Sequence, residues 1–76
     1  MRIVDVWEKG KDVFAYCIGN GIGKDFSCKE ISVNGKTYAV AAYDILTAFN
    51  GSVNAVLKIG GVRAEDIPHG SFQIVS

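Results

Sequence analysis

The side chains able to do covalent or metal chemistry are few in this sequence, and they are scattered. Cys17, Cys28 and His69 are ligands of the right kind for zinc. A zinc site, however, normally takes four ligands with paired spacings such as C-x2-C, and no such pair occurs. The two thiols therefore read as core or hairpin-end residues. A cysteine–histidine nucleophile would need a third, orienting group, and nothing in the spacing provides one. Asp5, Asp12, Asp25, Asp44, Glu65 and Asp66 are spread along the chain and make no identifiable acid–base pair. The stretch GNGIGKDF (19–26) has the glycines and lysine of a phosphate-binding loop but not its spacing. Gly19 to Gly23 is one residue short of G-x-x-x-x-G-K-[ST], and Asp25 stands where a hydroxyl would hold magnesium. The expectation is a protein with no catalytic residues, no metal site and no cofactor, hence not an enzyme.

Binding is the better prospect. Trp7, Tyr16, Tyr38, Tyr43 and Phe49 are interspersed with Lys9, Lys11, Lys24, Lys29 and Lys36. Aromatic rings set among basic side chains are what single-stranded nucleic acid stacks on, although rings of this kind also build cores. The totals do not favour a polyanion: lysine plus arginine equals aspartate plus glutamate, at 8 each. The stretch YDILTAF (43–49) is the most apolar run without a clear strand pattern. As a loop it would expose Leu46 and Phe49 to a protein partner.

Those residues need a scaffold, and 76 residues make one small domain. With 49% apolar residues the chain has enough for one compact core. No apolar run approaches the roughly 18 residues of a membrane span. The opening MRIVDVWEKGKD lacks the longer apolar stretch of a secretory signal. The chain is expected to be cytoplasmic, with free thiols.

Short apolar segments follow one another, separated by glycines and Asn-Gly pairs. RIVDVW (2–7) is β-branched, and EKGKD (8–12) is a polar turn. VFAYCI (13–18) alternates small and large residues, which suits the two faces of a strand. GNG (19–21) is a turn, and SCKEISV (27–33) is the next strand. Asn34-Gly35 is the strongest hairpin signal in the chain, because a type I′ turn needs positive φ at both central residues. KTYAVAAYDI (36–45) continues as a strand, while AVAAYDILTAF also has helical character, so 41–49 stays open between strand, helix and loop. NGS (50–52) turns the chain into VNAVLKI (53–59), where Val53, Ala55, Leu57 and Ile59 share one face. SFQIVS (71–76) is the last strand. About six strands at roughly ten-residue spacing with little helix predict a small all-β barrel or sandwich. Closure is favoured, because almost no proline is present to blunt an open edge.

The segment GSVNAVLKIGGVRAEDIPHGSFQIV resembles the end of the second domain of translational GTPases, the elongation factor Tu type of β-barrel. The matching positions are Gly51, the strand 53–59, Gly61-Val62, Arg63, Glu65-Asp66-Ile67 and Gly70. VDVWEKGKDVFAYCIGNGI resembles the first hairpin of that family, with Val6-Trp7 on the first strand and Gly21-Ile22 at the hairpin end. The middle departs from the pattern: Gly23 and Asp25 are present but not adjacent, so the hairpin timing differs. The GTPase domain has no counterpart in this sequence. The resemblance implies a closed six-stranded antiparallel barrel in which the polar crossing 60–70 closes one end. In that crossing Asp66 caps outside, Ile67 plugs inside, and Pro68 and Gly70 set the turn. In that family the barrel contacts its own GTPase domain and RNA.

The sequence thus predicts one barrel domain over 1–76, acting as a stand-alone, non-enzymatic module that docks on a protein partner or pairs with itself. RNA or ribosome association is the alternative, and no membrane is involved. Tyr43, Leu46, Phe49 and Arg63 are the candidate binding residues. Gly21, Asn34, Gly35, Gly51, Gly61, Pro68 and Gly70 are the structural turn residues.

Overall fold

The computed structural model describes residues 1–23 and 25–76. The strands are β1 (Arg2–Lys9), β2 (Asp12–Ile18), β3 (Glu30–Val33), β4 (Lys36–Thr47), β5 (Val53–Ile59), β6 (Gly70–Ser71) and β7 (Gln73–Ile74), with a 3-10 turn at Ala64–Asp66. Every strand pairing is antiparallel, and the spatial order is β6-β1-β2-β5-β4-β3-β7. The fold is therefore all-β and nearly closed, with seven hydrogen-bonded strands where six were expected. The extra strand arises because the expected last strand, 71–76, divides at Phe72.

That division has a physical reason. Strand β6 pairs with β1 through Ile3↔Gly70 and Arg2↔Ser71. Strand β7 pairs with β3 through Ser32↔Gln73 and Ile31↔Ile74. One short segment must change partners to bring the two ends of the sheet together, and Phe72 sits at the change. Its ring is buried, and its N–H donates to the Met1 carbonyl at 3.1 Å. Switching a strand between sheets at a bend is how orthogonally packed sheets turn their corners.

Small side chains line part of the interior. Val13, Ala15 and Cys17 of β2 point inward, while Phe14, Tyr16 and Ile18 are half-buried on the outer face. A small barrel has room for only so many large groups. Here Ile3, Ile31, Val33 and Leu57 take that room, each essentially inaccessible. Strand β5 alternates as expected, with Ala55, Leu57 and Ile59 buried and Val53 half-buried.

Two bulges correct the alternation where it would fail. In β1 the register jumps between Ile3 and Asp5, making Val4 the extra residue. In β4 it jumps between Val40 and Ala42, making Ala41 the extra residue. Unbroken alternation from Ile3 or from Val40 would aim Asp5 or Asp44 into the barrel. Burying an unpaired carboxylate is far costlier than one bulge, and both aspartates are exposed.

The turns follow the expected chemistry. Asn34 and Gly35 have φ of 53° and 82°, the positive pair that an Asn-Gly hairpin requires. Gly21, Gly51, Gly61 and Gly70 also sit at positive φ. In the crossing 60–70 Ile67 is buried and Asp66 is exposed. The Tyr38 hydroxyl donates to the Asp66 carbonyl at 2.9 Å, tying the crossing to β4. Strand β3 starts at Glu30 rather than Ser27, because Cys28 turns into the core and Lys29 hydrogen-bonds to the Ser76 carbonyl at 2.7 Å. No helix is long and apolar enough to cross a membrane among the described residues.

Candidate functional site

The 12 residues of β4 outrun the 4 of β3. Lys36 to Ala39 pair with β3, and Val40 donates its N–H to the Lys29 carbonyl at 2.9 Å. From Ala42 to Thr47 the strand pairs with β5 alone. Among the described residues no strand lies along its other side. The span 41–49, left open between strand, helix and loop by its sequence, is therefore strand through Thr47. It is an edge strand whose outer row of N–H and C=O groups has no strand to pair with. Residues 41–47 contain no lysine, arginine or proline, the usual protection of such an edge, and Asp44 is their one charge.

The bulge at Ala41 decides which way the side chains face. Tyr43 and Ile45 stand opposite the core residues Leu57 and Ala55, so they share the interior side of the sheet. Ala42, Asp44 and Leu46 stand opposite Lys58, Val56 and Asn54 on the outer side. Tyr43 and Leu46 were both candidate binding residues, and the strand places them on opposite faces. Tyr43 packs edge-on against Phe26, with ring centroids 5.4 Å apart, and remains 37% exposed. Leu46 is 43% exposed, and Phe49 is fully exposed.

Phe49 stands on a braced turn. Ala48 N–H donates to the Ser52 carbonyl, and Gly51 N–H donates to the Ala48 carbonyl, both at 2.9 Å. The Asn50 Oδ1 accepts from Ser52 N–H at 3.0 Å and from Ser52 Oγ at 2.7 Å. The ring is thus held in water by an ordered loop. An apolar group presented that way loses little conformational entropy when a partner covers it.

Arg63 is not part of this surface. Its Nε donates to Glu8 Oε1 at 3.0 Å, and the neighbouring Ala64 N–H donates to the same oxygen at 2.8 Å. Glu8 pairs with Val13, which in turn pairs with Ile59 at the end of β5, whereas Leu46 pairs with Asn54 near its start. The length of β5 separates the two. The Ala64 N–H and then Arg63 hold the Glu8 carboxyl below its usual range, and Glu8 raises Arg63 in return. Arg63 therefore clamps the crossing to β1.

The aromatic and basic residues do not form one tract. Trp7 stacks on Phe14 on the outer face, with centroids 5.7 Å apart and planes 21° off parallel. Phe14 lies opposite Lys58, and the Lys58 Nζ is 3.4 Å from Asp12 Oδ1. Tyr38 is a core residue with Lys36 above its ring, and Lys24 lies outside the described residues. Cys17 and Cys28 are both buried. Burial pushes the Cys17 thiol up to about 12 and raises Cys28 as well, so neither is a ready thiolate. No group of three or more His, Cys, Asp or Glu residues is placed to hold a metal ion among the described residues.

The free edge itself was missed in the sequence, although a signal existed. The run from Lys36 to Phe49 contains no glycine or proline, so it can outlast a short hairpin partner. Comparison of the chain with protein families, with characterised proteins and with solved structures found no match.

Proposed function

We propose that this protein is a non-enzymatic β-barrel module that docks on a protein partner by strand addition to the 41–47 edge of β4. The observation that carries the reading is that edge: residues 42–47 pair with β5, and among the described residues no strand lies on the other side of 41–47. Main-chain hydrogen bonds would supply affinity and the flanking side chains selectivity, as in other β-augmentation sites. Leu46 is the outer-face anchor, Tyr43 marks the inner face, and Phe49 stands exposed in the turn just beyond the strand. The resemblance to the second-domain barrel of translational GTPases supports a docking role, since that barrel works by contacting other macromolecules. A second reading, RNA binding in the cytoplasm, is favoured by the stack of exposed Trp7 on half-buried Phe14 with Lys58 opposite Phe14.

Capture from a lysate of the source organism, with and without ribonuclease, separates the two readings. A docked protein stays bound after ribonuclease and at high salt, and is lost with Phe49→Ala or Leu46→Glu but kept with Trp7→Ala. RNA binding instead weakens linearly in log affinity with log salt and is lost with Trp7→Ala. Capture unaffected by Phe49→Ala and Leu46→Glu would rule out the β4 edge as the docking surface.

A further inference from the structure

We propose that the occupant of the β4 edge is a second copy of this chain, paired antiparallel about a two-fold axis through Ile45. The proposal rests on the reading of that edge as a docking surface, and it names the partner and the register.

The backbone fixes which residues are free to pair. Gly60 N–H donates to the Ala39 carbonyl at 3.3 Å, and Val40 N–H turns away from β5 to Lys29. After the bulge, Ala42 stands opposite Lys58. Alternation then directs the N–H and C=O of Ala42, Asp44 and Leu46 toward β5, and those of Tyr43, Ile45 and Thr47 outward. The far end agrees: Ala48 N–H donates to the Ser52 carbonyl at 2.9 Å, the pattern that flanks an outward-turned Thr47. The outward residues are thus spaced symmetrically around Ile45.

A two-fold axis perpendicular to the sheet matches inner face to inner face, so it must pass through a residue. Centred on Ile45, it sets Ile45 opposite itself and Tyr43 opposite Thr47 of the second copy. Every outward N–H and C=O from Tyr43 to Thr47 is then paired. Asp44 falls opposite Leu46 of the second copy on the outer face. The other centres leave outward groups unpaired or oppose them badly. An axis at Leu46 sets Tyr43 against Phe49, beyond the end of the strand, and an axis at Ala42 sets Ile45 against Ala39, which is engaged with β3. An axis at Asp44 places two carboxylates directly opposite, which destabilises a pair of strands. An axis at Tyr43 sets Thr47 against Ala39, which already pairs with Glu30 of β3. An axis at Thr47 sets Ile45 against Phe49, which lies beyond the strand in its braced turn. A chain of zero formal net charge also adds no overall repulsion between copies.

A ladder this short buries less than a stable dimer interface does, so the association is weak and belongs to the micromolar-to-millimolar range. Leu46 is the residue that reports the register. In Leu46→Lys the new ammonium lies opposite Asp44 of the second copy, twice by symmetry. In Leu46→Glu two like charges meet there instead. The side chain is exposed in the monomer, so neither change disturbs the barrel, and thermal melts of both variants check this.

The test is sedimentation from about 10 μM to about 1 mM, with amide exchange read at both ends of that range. The expected result is a dimer that grows with concentration, with added protection at Tyr43, Ile45 and Thr47. Leu46→Lys should tighten it about fivefold and Leu46→Glu weaken it by a similar factor. A wild-type chain that stays monomeric throughout overturns the proposal. So does a dimer protected elsewhere, or one that both variants shift in the same direction. The wider docking reading is judged separately, by whether Phe49→Ala and Leu46→Glu abolish protein capture; a monomer that still captures a protein through the edge defeats only self-pairing.

Discussion

Replacing Tyr38 with phenylalanine removes one oxygen from the contact that holds the crossing over the barrel end. The ring is 4% exposed and keeps its packing in the variant. What is lost is the 2.9 Å hydrogen bond from the hydroxyl to the Asp66 carbonyl. Asp66 is exposed, so water can replace the lost donor, and no buried acceptor is stranded. The cost is then the net value of one part-buried hydrogen bond, about 1 kcal/mol. A domain of 76 residues has an unfolding entropy of about 0.16 kcal/mol/K at its midpoint, so Tm should fall by about 6 °C. The loss is local as well as global. Asp66 N–H donates to the Arg63 carbonyl at 3.0 Å and Ile67 N–H to the Ala64 carbonyl at 3.2 Å. These amides should exchange about fivefold faster in the variant, provided the crossing opens as a unit. Calorimetry gives the first number and exchange by NMR the second. An unchanged Tm with unchanged exchange at 66–67 would refute the claim that this bond pins the crossing. A lowered Tm without faster exchange there would show that the hydroxyl serves the core and not the cap.

Other perturbations test neighbouring parts of the same reasoning. Glu8 has a folded pKa below its unfolded value, so its contribution is present above about pH 4.3 and disappears as pH falls through the folded value. Glu8→Gln should flatten the acid limb of the stability curve and loosen the amides of 63–64, as read by denaturant melts across pH. The Cys17 thiol has the opposite sense: its folded value is raised to about 12, so its contribution is full below about pH 8.5 and is lost as pH climbs beyond it. At neutral pH a thiol reagent should label Cys17 and Cys28 only as fast as the barrel opens, and mild denaturant should accelerate the labelling. Gly35→Ala forces a Cβ into φ of 82° and should cost about 1–2 kcal/mol, seen as a Tm lower by about 6–12 °C.

Local chemistry was legible in the sequence wherever one residue type decides the backbone. Asn34-Gly35 names its own turn, the alternation of VNAVLKI names its buried face, and Ile67 amid polar neighbours marks itself as a plug. The small residues of β2 also announce an interior with little space. What the sequence hid depends on partners far along the chain. The split at Phe72 reflects a change from β1 to β3 that no local pattern encodes. The length of β4 beyond β3 was obscured by Ala-rich residues whose helical preference competes with pairing to β5. Tyr43 and Leu46 fall on opposite faces by their odd spacing once 41–47 is strand, and a single extra residue at Ala41 decides which face each takes. Asp44 held the clue, since continuing the alternation from Tyr38 and Val40 would have driven its carboxylate inside. Arg63 was read as a binding residue because its acceptor, Glu8, lies 55 positions away in sequence.

The split closing segment also bears on the order in which the molecule can be made. Synthesis runs from β1 onward, and 70–74 follows every strand it must join. Until that segment emerges, β1 and β3 are the two raw edges of an unfinished curved sheet, and Phe72 is missing from the core. Chains at this stage present the outer sides of β1 and β3 in addition to that of β4, whereas in the finished barrel β6 and β7 pair with part of each among the described residues. Nascent or stalled chains are therefore more prone to stick together than the finished protein, a hazard set by strand order and not by surface composition.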